Sequence, residues 1–419
     1  MLLEDDPGDY THFWTFEDGT VIAWYKSQFL AVPTAIPSIA PRYFVKLIDT
    51  TGYMVALFDS WISLEYGSIV DDVGYYSLSL DGNDDRLDLF QLDYMVEVWR
   101  GIPGVGVDWY CDFRGLHRTP KRAIDSKGKK IFTSTGVCLN HLLSRRDIGY
   151  KAGTIRADKD DVAETVMKEY VAENCGVDAT VANGRLRDGA FPGFTIDADG
   201  GQGINWPGSR AYENLLGTLM DIANVSGIDY RVESLGNGQY RFFTYVDQLG
   251  VDRSVLGLNP ATGLNAAGYP PVIFSVPIGN VQNIDYELNR NAEANAVFLL
   301  GKGDGSTRHI TIVEDPGAGA DSPWNDIEVA VNASSQEYEF QRVMVGIETL
   351  QQKAARESFS FTPLQQASSL YGVHYGIGDK VTAKYDDIQR DKRIVAVKVA
   401  ISSSKETVDI VFADIPRRR

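Results

Sequence analysis

Hydrophobic and polar side chains alternate in three consecutive runs near the C-terminal end of the chain. The runs cover residues 380–385, 393–401 and 407–412, and polar turns separate them. Because successive side chains of a strand point to opposite faces, each run predicts a strand with one buried face and one wet face. The stretch 375–414 therefore predicts a three-stranded antiparallel meander.

A similar layout occurs earlier in the chain. Residues 93–100 match residues 379–386 in pattern, since in each an Asp after a turn leads into an alternating run. A second strand follows in each copy, over 109–115 and over 393–401. The match is one of pattern and not of identity, so two hypotheses stay open. Either the chain contains a duplicated unit, or it contains two unrelated meanders.

Short alternating runs also fill the rest of the first β region, from residue 42 to residue 150. Several short strands at this spacing are typical of a small barrel or sandwich. The region is expected to close with a helical turn over 139–143. The further predicted strands are 43–48, 53–58, 62–66, 75–80 and 129–133.

The hydrophobic period changes after residue 150, which predicts a small α+β domain over 151–275. Apolar stripes at helical spacing predict two helices, and turn residues predict a hairpin and two loops. The helices are expected over 158–174 and from an N-cap at Ser209 to Gly227. The hairpin is expected over 229–235 and 239–246, and the loops over 183–208 and 250–275.

The β pattern returns over 276–419 and predicts a second β domain. A strand is expected over 284–288, and residues 296–300 are expected to pair with 309–313 across the turn 301–305. A helical stripe predicts a helix over 337–357 before the meander.

An N-terminal arm is predicted over residues 1–41. A hairpin is expected over 11–16 and 20–25, because Asp18-Gly19 is a strong turn signal. Prolines at 33, 37 and 41 predict a stiff connector after the hairpin.

Composition and charge restrict the possible functions. A chain of 419 residues exceeds one ordinary core, so two to four domains are expected. The net charge of −17 argues against a surface that binds nucleic-acid phosphates. The negative charge either keeps the protein soluble or forms a surface along which polyanions pass without binding. Three separated cysteines indicate synthesis in a reducing compartment, and neither a secretory signal nor a membrane span is recognisable.

The sequence predicts no catalytic, cofactor-binding or metal-binding residues. The five histidines lack metal-ligand spacing, and nucleophile-elbow, cysteine-protease and P-loop motifs are absent. Residues 301–305 are glycine-rich but favour a hairpin turn. Residues 197–203 faintly resemble a calcium loop, although Gly201 occupies its third acidic position, and a flexible loop explains the same residues. The pairs Trp99/Trp109 and Tyr75/Tyr76 could stack on sugars, but alternating aromatics are usually cross-strand pairs.

The order of several short motifs resembles the tail-hub proteins of long-tailed siphophages, relatives of contractile-phage baseplate hubs and of the N-terminal region of VgrG spikes. The resemblance covers roughly residues 42–415. Its parts are residues 61–66, 72–78, 92–100, 213–216 and 375–381.

The resemblance implies a mainly β fold with two tube-type β-barrels, 42–150 and 276–419, separated by the α+β domain. It implies a homotrimer with pseudo-sixfold symmetry that closes the tail tube at the virion tail tip, after assembly in the bacterial cytoplasm. The implied partners are a distal tail protein ring, the tape-measure C-terminus, a tip or fibre protein, and DNA that passes without specific binding or stable membrane insertion. The alternatives are a tail-associated glycan hydrolase using acidic residues, and a β-rich adhesin that binds host carbohydrate.

Overall fold

The computed structural model describes residues 41–102, 105, 107–149, 154–315, 317, 322–366, 368–402 and 405–413, and the strand backbones 10–15, 21–25 and 29–30. The predicted N-terminal hairpin is confirmed, because strand β1 (Tyr10–Thr15) pairs antiparallel with β2 (Val21–Tyr25). A short strand β3 (Phe29–Leu30) adds to β2. The predicted connector prolines at 33 and 37 lie outside the described residues.

The first β region contains seven strands and a short helix, and each predicted element is found there. The strands run antiparallel in the spatial order β5-β4-β8-β9-β10-β7-β6. Two strands, β9 and β10, extend well beyond their predicted limits. The elements are β4 (Arg42–Ile48), β5 (Met54–Phe58), β6 (Ser63–Ile69), β7 (Tyr75–Asp81), β8 (Met95–Ile102), β9 (Val107–Ile124), β10 (Lys130–Cys138) and α1 (His141–Ser144).

The middle region has an α+β architecture, as predicted, but three local predictions are wrong. Residues 157–162 form a strand and not the start of a helix. The predicted loop 183–208 contains one strand and most of another, and Ser209 is buried in that second strand. The elements are β11 (Ala157–Val162), α2 (Ala163–Asn174), β12 (Phe194–Ile196), β13 (Asn205–Arg210), α3 (Leu215–Ser226), β14 (Asp229–Gly236) and β15 (Gln239–Tyr245).

These errors share one physical cause, which is pairing between residues distant in sequence. Strand β11 pairs with β13, so that Asp158 lies opposite Ser209. Neither strand has a local turn that would reveal its partner. The end of α3 carries a local signal and was predicted correctly, since Gly227 has the left-handed φ of 70° that favours glycine after a helix.

The second β region carries its own insertion. A three-stranded sheet and helix α4 interrupt it, and the predicted pairing across the glycine turn 301–305 is confirmed. Helix α4 ends at Gln352 and not at Glu357, which lies in β22, and β16 and β17 lie within the predicted loop 250–275. The elements are β16 (Asp252–Arg253), β17 (Ile273–Ser275), β18 (Val281–Asn289), β19 (Ala296–Leu300), β20 (Ile310–Glu314), β21 (Glu328–Asn332), α4 (Glu339–Gln352), β22 (Arg356–Pro363), β23 (Lys380–Tyr385), β24 (Ile388–Ser402) and β25 (Lys405–Ala413).

The order of strands in space is repeated in the two β regions. The first contains the order β4-β8-β9-β10-β7-β6, and the second contains β17-β23-β24-β25-β22-β18. The relative direction of neighbouring strands also matches in all pairs except one. Strand β4 is antiparallel to β8, whereas β17 is parallel to β23. The topology is therefore duplicated in five strands and modified in the sixth.

The structure corrects the residue alignment between the two copies. The N–H of His117 donates to Tyr94 O at 2.8 Å, and the N–H of Ile394 donates to Asp379 O at the same distance. Asp379 is thus equivalent to Tyr94 and not to Asp93. It follows that residues 116–124, and not 109–115, match 393–401.

Pairing between β24 and β6 joins the two β regions into one sheet. Val399 lies opposite Tyr66, and Ser402 lies opposite Ser63. Both residues of the first pair are buried in one hydrophobic cluster that takes members from both regions, including Val98 and Phe412. A second cluster holds the helices of the α+β region together with Met344 of α4.

Candidate functional surface

The sheet has a polar face opposite its hydrophobic core. Two rows of side chains cross six strands on this face, including the junction between β24 and β6, and most of these side chains carry a hydroxyl group. We call this set the hydroxyl face. The first row is Thr407, Ala400, Glu65, Ser77, Thr135 and Thr119, and the second is Lys405, Ser402, Ser63, Ser79, Thr133 and Lys121.

Polar side chains on this face form hydrogen bonds and an ion pair with one another. The hydroxyl groups of Ser79 and Thr133 lie 3.1 Å apart across neighbouring strands. Lys398 Nζ lies 3.1 Å from Glu65 Oε1, to which Tyr75 also donates its hydroxyl proton. Each charge of this half-exposed ion pair therefore has a partner, and eight of the twelve side chains in the two rows are serine or threonine.

A buried polar network fixes the two β regions to each other beneath the sheet. Arg100 on β8 is fully buried, and it donates to Tyr43 Oη at 2.8 Å and to Tyr371 O at 2.7 Å. Its guanidinium pairs with Glu406 of β25 at 3.1 Å, and Tyr43 also donates to that carboxylate. The network spans both regions of the sheet and is sheltered from solvent.

Asp112 belongs to the same buried region. Tyr66 and Tyr371 donate to its two oxygens at 2.5 and 2.9 Å. Burial raises the pKa of Asp112, while the hydrogen bond from Tyr66 and the charge of Arg100 oppose that shift. Burial likewise raises the pKa values of both tyrosines. These hydrogen bonds connect β6 and β9 of the first region with Tyr371 of the second region.

The α+β region is tied to the second β region by two further buried ion pairs. Arg393 of β24 donates to Asp229 Oδ1 at 2.9 Å, and Arg210 of β13 donates to both oxygens of Glu348 at 3.0 Å. Glu348 belongs to α4, so the insertion of the second region packs on the α+β region. The α+β region therefore has one face held against the sheet.

His117, Cys111 and Cys175 occupy structural positions. His117 Nδ1 lies 2.7 Å from Ser134 Oγ in the core, and burial lowers the pKa of His117. Burial raises the pKa values of Cys111 and Cys175 to about 12, which makes both thiols poor nucleophiles. Within the described residues, no group of three or more His, Cys, Asp or Glu side chains is arranged to hold a metal ion.

The loop that faintly resembles a calcium site is organised by a lysine. Lys168 Nζ donates to Ala198 O and to Glu164 Oε1, and Asp199 accepts from Thr165. An ammonium group thus occupies the position beside the loop carbonyl, and a second cation there would be repelled.

The aromatic pairs considered for sugar stacking contact other residues of the sheet. Trp99 stacks on Phe44 with ring centroids 5.7 Å apart, and Trp109 packs on the same ring at 4.7 Å. Tyr76 is buried, whereas Tyr75 is partly exposed at the margin of the hydroxyl face. The hydroxyl face itself was missed as a surface, although its members occupy the polar positions of predicted strands.

Within the described part of the chain, none of the helices combines the length and apolar character needed to cross a membrane.

The fold is that of bacteriophage tail proteins. The chain resembles the tail protein from Neisseria meningitidis MC58, with 13% identity, 89% of this chain and 97% of the other covered, and a TM-score of 0.51. It resembles the 43 kDa tail protein of prophage MuSo2 from Shewanella oneidensis with 11% identity, 89% and 96% coverage, and a TM-score of 0.52. It also resembles a chain of the half-lidded Francisella PdpA-VgrG complex, with 11% identity, 91% of this chain and 59% of the other covered, and a TM-score of 0.51.

The chain belongs to the family of the Siphovirus ReqiPepy6 Gp37-like protein, whose model matches residues 44–413. A search of curated proteins finds no match. Membership makes the chain a siphovirus protein, and its fold is that of phage tail proteins, in agreement with the resemblance found in the sequence. The matches with tail proteins favour a structural role over the glycan-hydrolase alternative.

Proposed function

We propose that three copies of this chain form a ring that closes the tail tube at its tip. Each copy contributes two β units, so three copies provide six similar units around a threefold axis. Such a ring matches a sixfold tube on one side and a threefold tip on the other. The proposed neighbours are a distal tail protein ring, the tape-measure C-terminus, and a tip or fibre protein.

The single observation that carries this proposal is the pairing of β24 with β6. This pairing links the two β units edge to edge and keeps their polar faces on the same side of one sheet. The rows of the hydroxyl face cross the junction at Ala400–Glu65 and at Ser402–Ser63. Repeating this relation around an axis gives a cylinder with the hydroxyl face on its wall.

We further propose that the hydroxyl face lines the lumen through which DNA leaves the capsid. Serine and threonine side chains are short and uncharged, so they neither narrow the bore nor bind phosphates strongly. Lys398 is paired with Glu65, which limits phosphate capture. The net charge of the whole chain left open an acidic wall along which polyanions pass, whereas this face supports a nearly neutral wall.

Two measurements test the proposal. Electron microscopy of isolated tails should place a threefold ring of this chain at the tip, with the hydroxyl face inward. Lysines introduced at Ser77 and Thr135, which lie opposite each other, should slow DNA ejection, and added salt should restore much of the rate because it screens phosphate attraction.

Val177→Lys is the matched control, because Val177 is 75% exposed in the α+β region and away from the hydroxyl face. Equal ejection kinetics for the control and for the Ser77→Lys/Thr135→Lys variant would show that DNA does not pass this face. A ring whose lumen is lined by other residues would refute the assignment directly.

A further inference from the structure

Strand β9 has a free edge over its second half. It pairs with β10 over residues 115–124 and with β8 only over residues 107–116, so the outer edge of 118–124 has no partner strand among the described residues. Asp125 donates its N–H to Lys129 O. Successive N–H groups along a strand point to opposite edges, so the N–H groups of Arg122 and Ile124 point away from β10. All seven residues of this edge are exposed.

The equivalent edge in the second β unit is occupied. A bulged residue occurs at the equivalent position of each strand, at Arg118 in β9 against β10 and at Val395 in β24 against β25. Residues 119–124 therefore correspond to residues 396–401. In the second unit those residues pair with β6 and are buried or half-buried.

Strand β18 supplies the second free edge. It corresponds to β6, because Tyr286 lies opposite Phe359 as Tyr66 lies opposite Tyr76. Strand β6 is covered on both edges, by β7 and by β24. In the described residues β18 pairs with β22 alone, and Leu288 is 48% exposed.

We propose that the β9 edge of one chain pairs antiparallel with β18 of a second copy, in the register of the β24–β6 junction. Copying that register places Thr119 opposite Asn289, Lys121 opposite Glu287, and Ala123 opposite Asp285 of the second copy. The contact is head to tail, since the two edges differ, and such contacts close into rings when the rotation allows. Closure at three copies rests on the proposed function above.

Charge supports this pairing independently of topology. The β9 edge carries Lys121, whereas β18 carries Asp285 and Glu287. Arg118 and Arg122 lie on the same edge, where they also pair with Asp93 and Asp88 of their own chain. Inside the chain, Lys398 pairs with Glu65 across the junction at 3.1 Å. The equivalent residues are Lys121 and Asp285, so the new contact reproduces the same lysine–carboxylate pair.

One difference distinguishes the two junctions. Pro120 occupies the position of Val397 and has no N–H to donate at the edge. The contact between chains therefore has one hydrogen bond fewer than the internal contact. Proline on a strand edge also hinders uncontrolled strand addition.

Disulfide trapping tests the register. The full-length Ala123→Cys/Asp285→Cys variant is oxidised, and covalent species are resolved by denaturing electrophoresis without reductant. We expect efficient cross-linking between chains, with a ladder that ends at three. The controls are the two single variants and Ala123→Cys/Leu288→Cys, in which the second cysteine is displaced along β18 and points to the other face.

Charge exchange tests the surface without new cysteines. Lys121→Glu should weaken self-association by about tenfold or more, because it places like charges together. Combining it with Glu287→Lys and Asp285→Lys should restore association. Circular dichroism of each variant checks folding, and all three positions are exposed.

The outcomes separate this inference from the proposed ring. Equal cross-linking of the matched and displaced pairs, or an unchanged association constant for Lys121→Glu, would overturn the pairing even where the wild type is trimeric. A trapped ladder that continues past three would support the pairing and overturn the closed trimer.

Discussion

The buried pair Arg100–Glu406 gives the sharpest test of how the two β units depend on each other. Arg100 lies on β8 of the first unit, and Glu406 lies on β25 of the second. Their side chains are 0% and 7% exposed, so both charges are desolvated and each is balanced by the other. The substitution Glu406→Gln keeps the shape and an acceptor oxygen but removes the charge that balances Arg100.

The expected cost follows from burial. Removing one partner of a buried ion pair leaves an uncompensated charge and costs about 3–5 kcal/mol. At 1.4 kcal/mol per tenfold change, the unfolding equilibrium should move by about two to three and a half orders of magnitude. With an unfolding entropy of about 2.1 cal/mol/K per residue over 419 residues, a cooperative transition should move down by about 3–6 °C.

The matched control is Glu65→Gln, because the pair Lys398–Glu65 also joins the two units. Its side chains are 44% and 36% exposed, and an exposed pair contributes at most about 1 kcal/mol. Calorimetry and urea denaturation measure both variants. If Glu406→Gln and Glu65→Gln cost the same within 1 kcal/mol, the buried network is not what couples the units.

Three further predictions concern single positions. Gly136→Ala should destabilise the protein by about 1–3 kcal/mol, because a Cβ there overlaps Leu116 O and the Tyr76 ring. The control is Gly217→Ala in α3, where a Cβ contacts no neighbouring atom, and this substitution should stabilise the protein by up to about 1 kcal/mol. Thermal melts that show equal effects for the two variants would refute this. His117→Asn should cost less stability at pH 5.5 than at pH 8. Because burial lowers the pKa of His117, the unfolded wild type takes up a proton below about pH 6.5 before the folded wild type does, and the wild type loses stability that the Asn variant keeps. Urea titrations that give the same difference between the two proteins at pH 8 and pH 5.5 would contradict this. Asp229→Asn should destabilise by at least about 1 kcal/mol, because it removes the carboxylate that pairs with the buried Arg393 guanidinium and leaves only Asp71, whose pKa is raised by burial, beside that charge. Asp197→Asn in the half-exposed pair with Arg241 is the control, and an equal loss in chemical denaturation would refute the reasoning.

Local periodicity was sufficient to predict most strands. The C-terminal meander was predicted correctly because each of its turns joins strands that are neighbours in sequence. Strands β11 and β13 were missed because their partners are distant along the chain. The same limitation explains why residues 273–275, which pair with β23, were predicted as a loop.

The alignment of the two β units shows a second limit. Asp93 and Asp379 have the same residue type after similar turns, yet the backbone hydrogen bonds make Tyr94 the equivalent of Asp379. A shared residue type after a turn does not define strand register, because register is set by the pairing of backbones between strands.

The sequence by itself determined which side chains are polar, which strands have one wet face, and that no familiar catalytic motif is present. Those properties depend on residue type and on a period of two, both of which are local. Only the tertiary structure decided that Ser63 and Ser402 belong to one continuous surface, and that β24 is covered where β9 is open. The pairing of β24 with β6 joins residues that are hundreds of positions apart, and no local pattern encodes that choice.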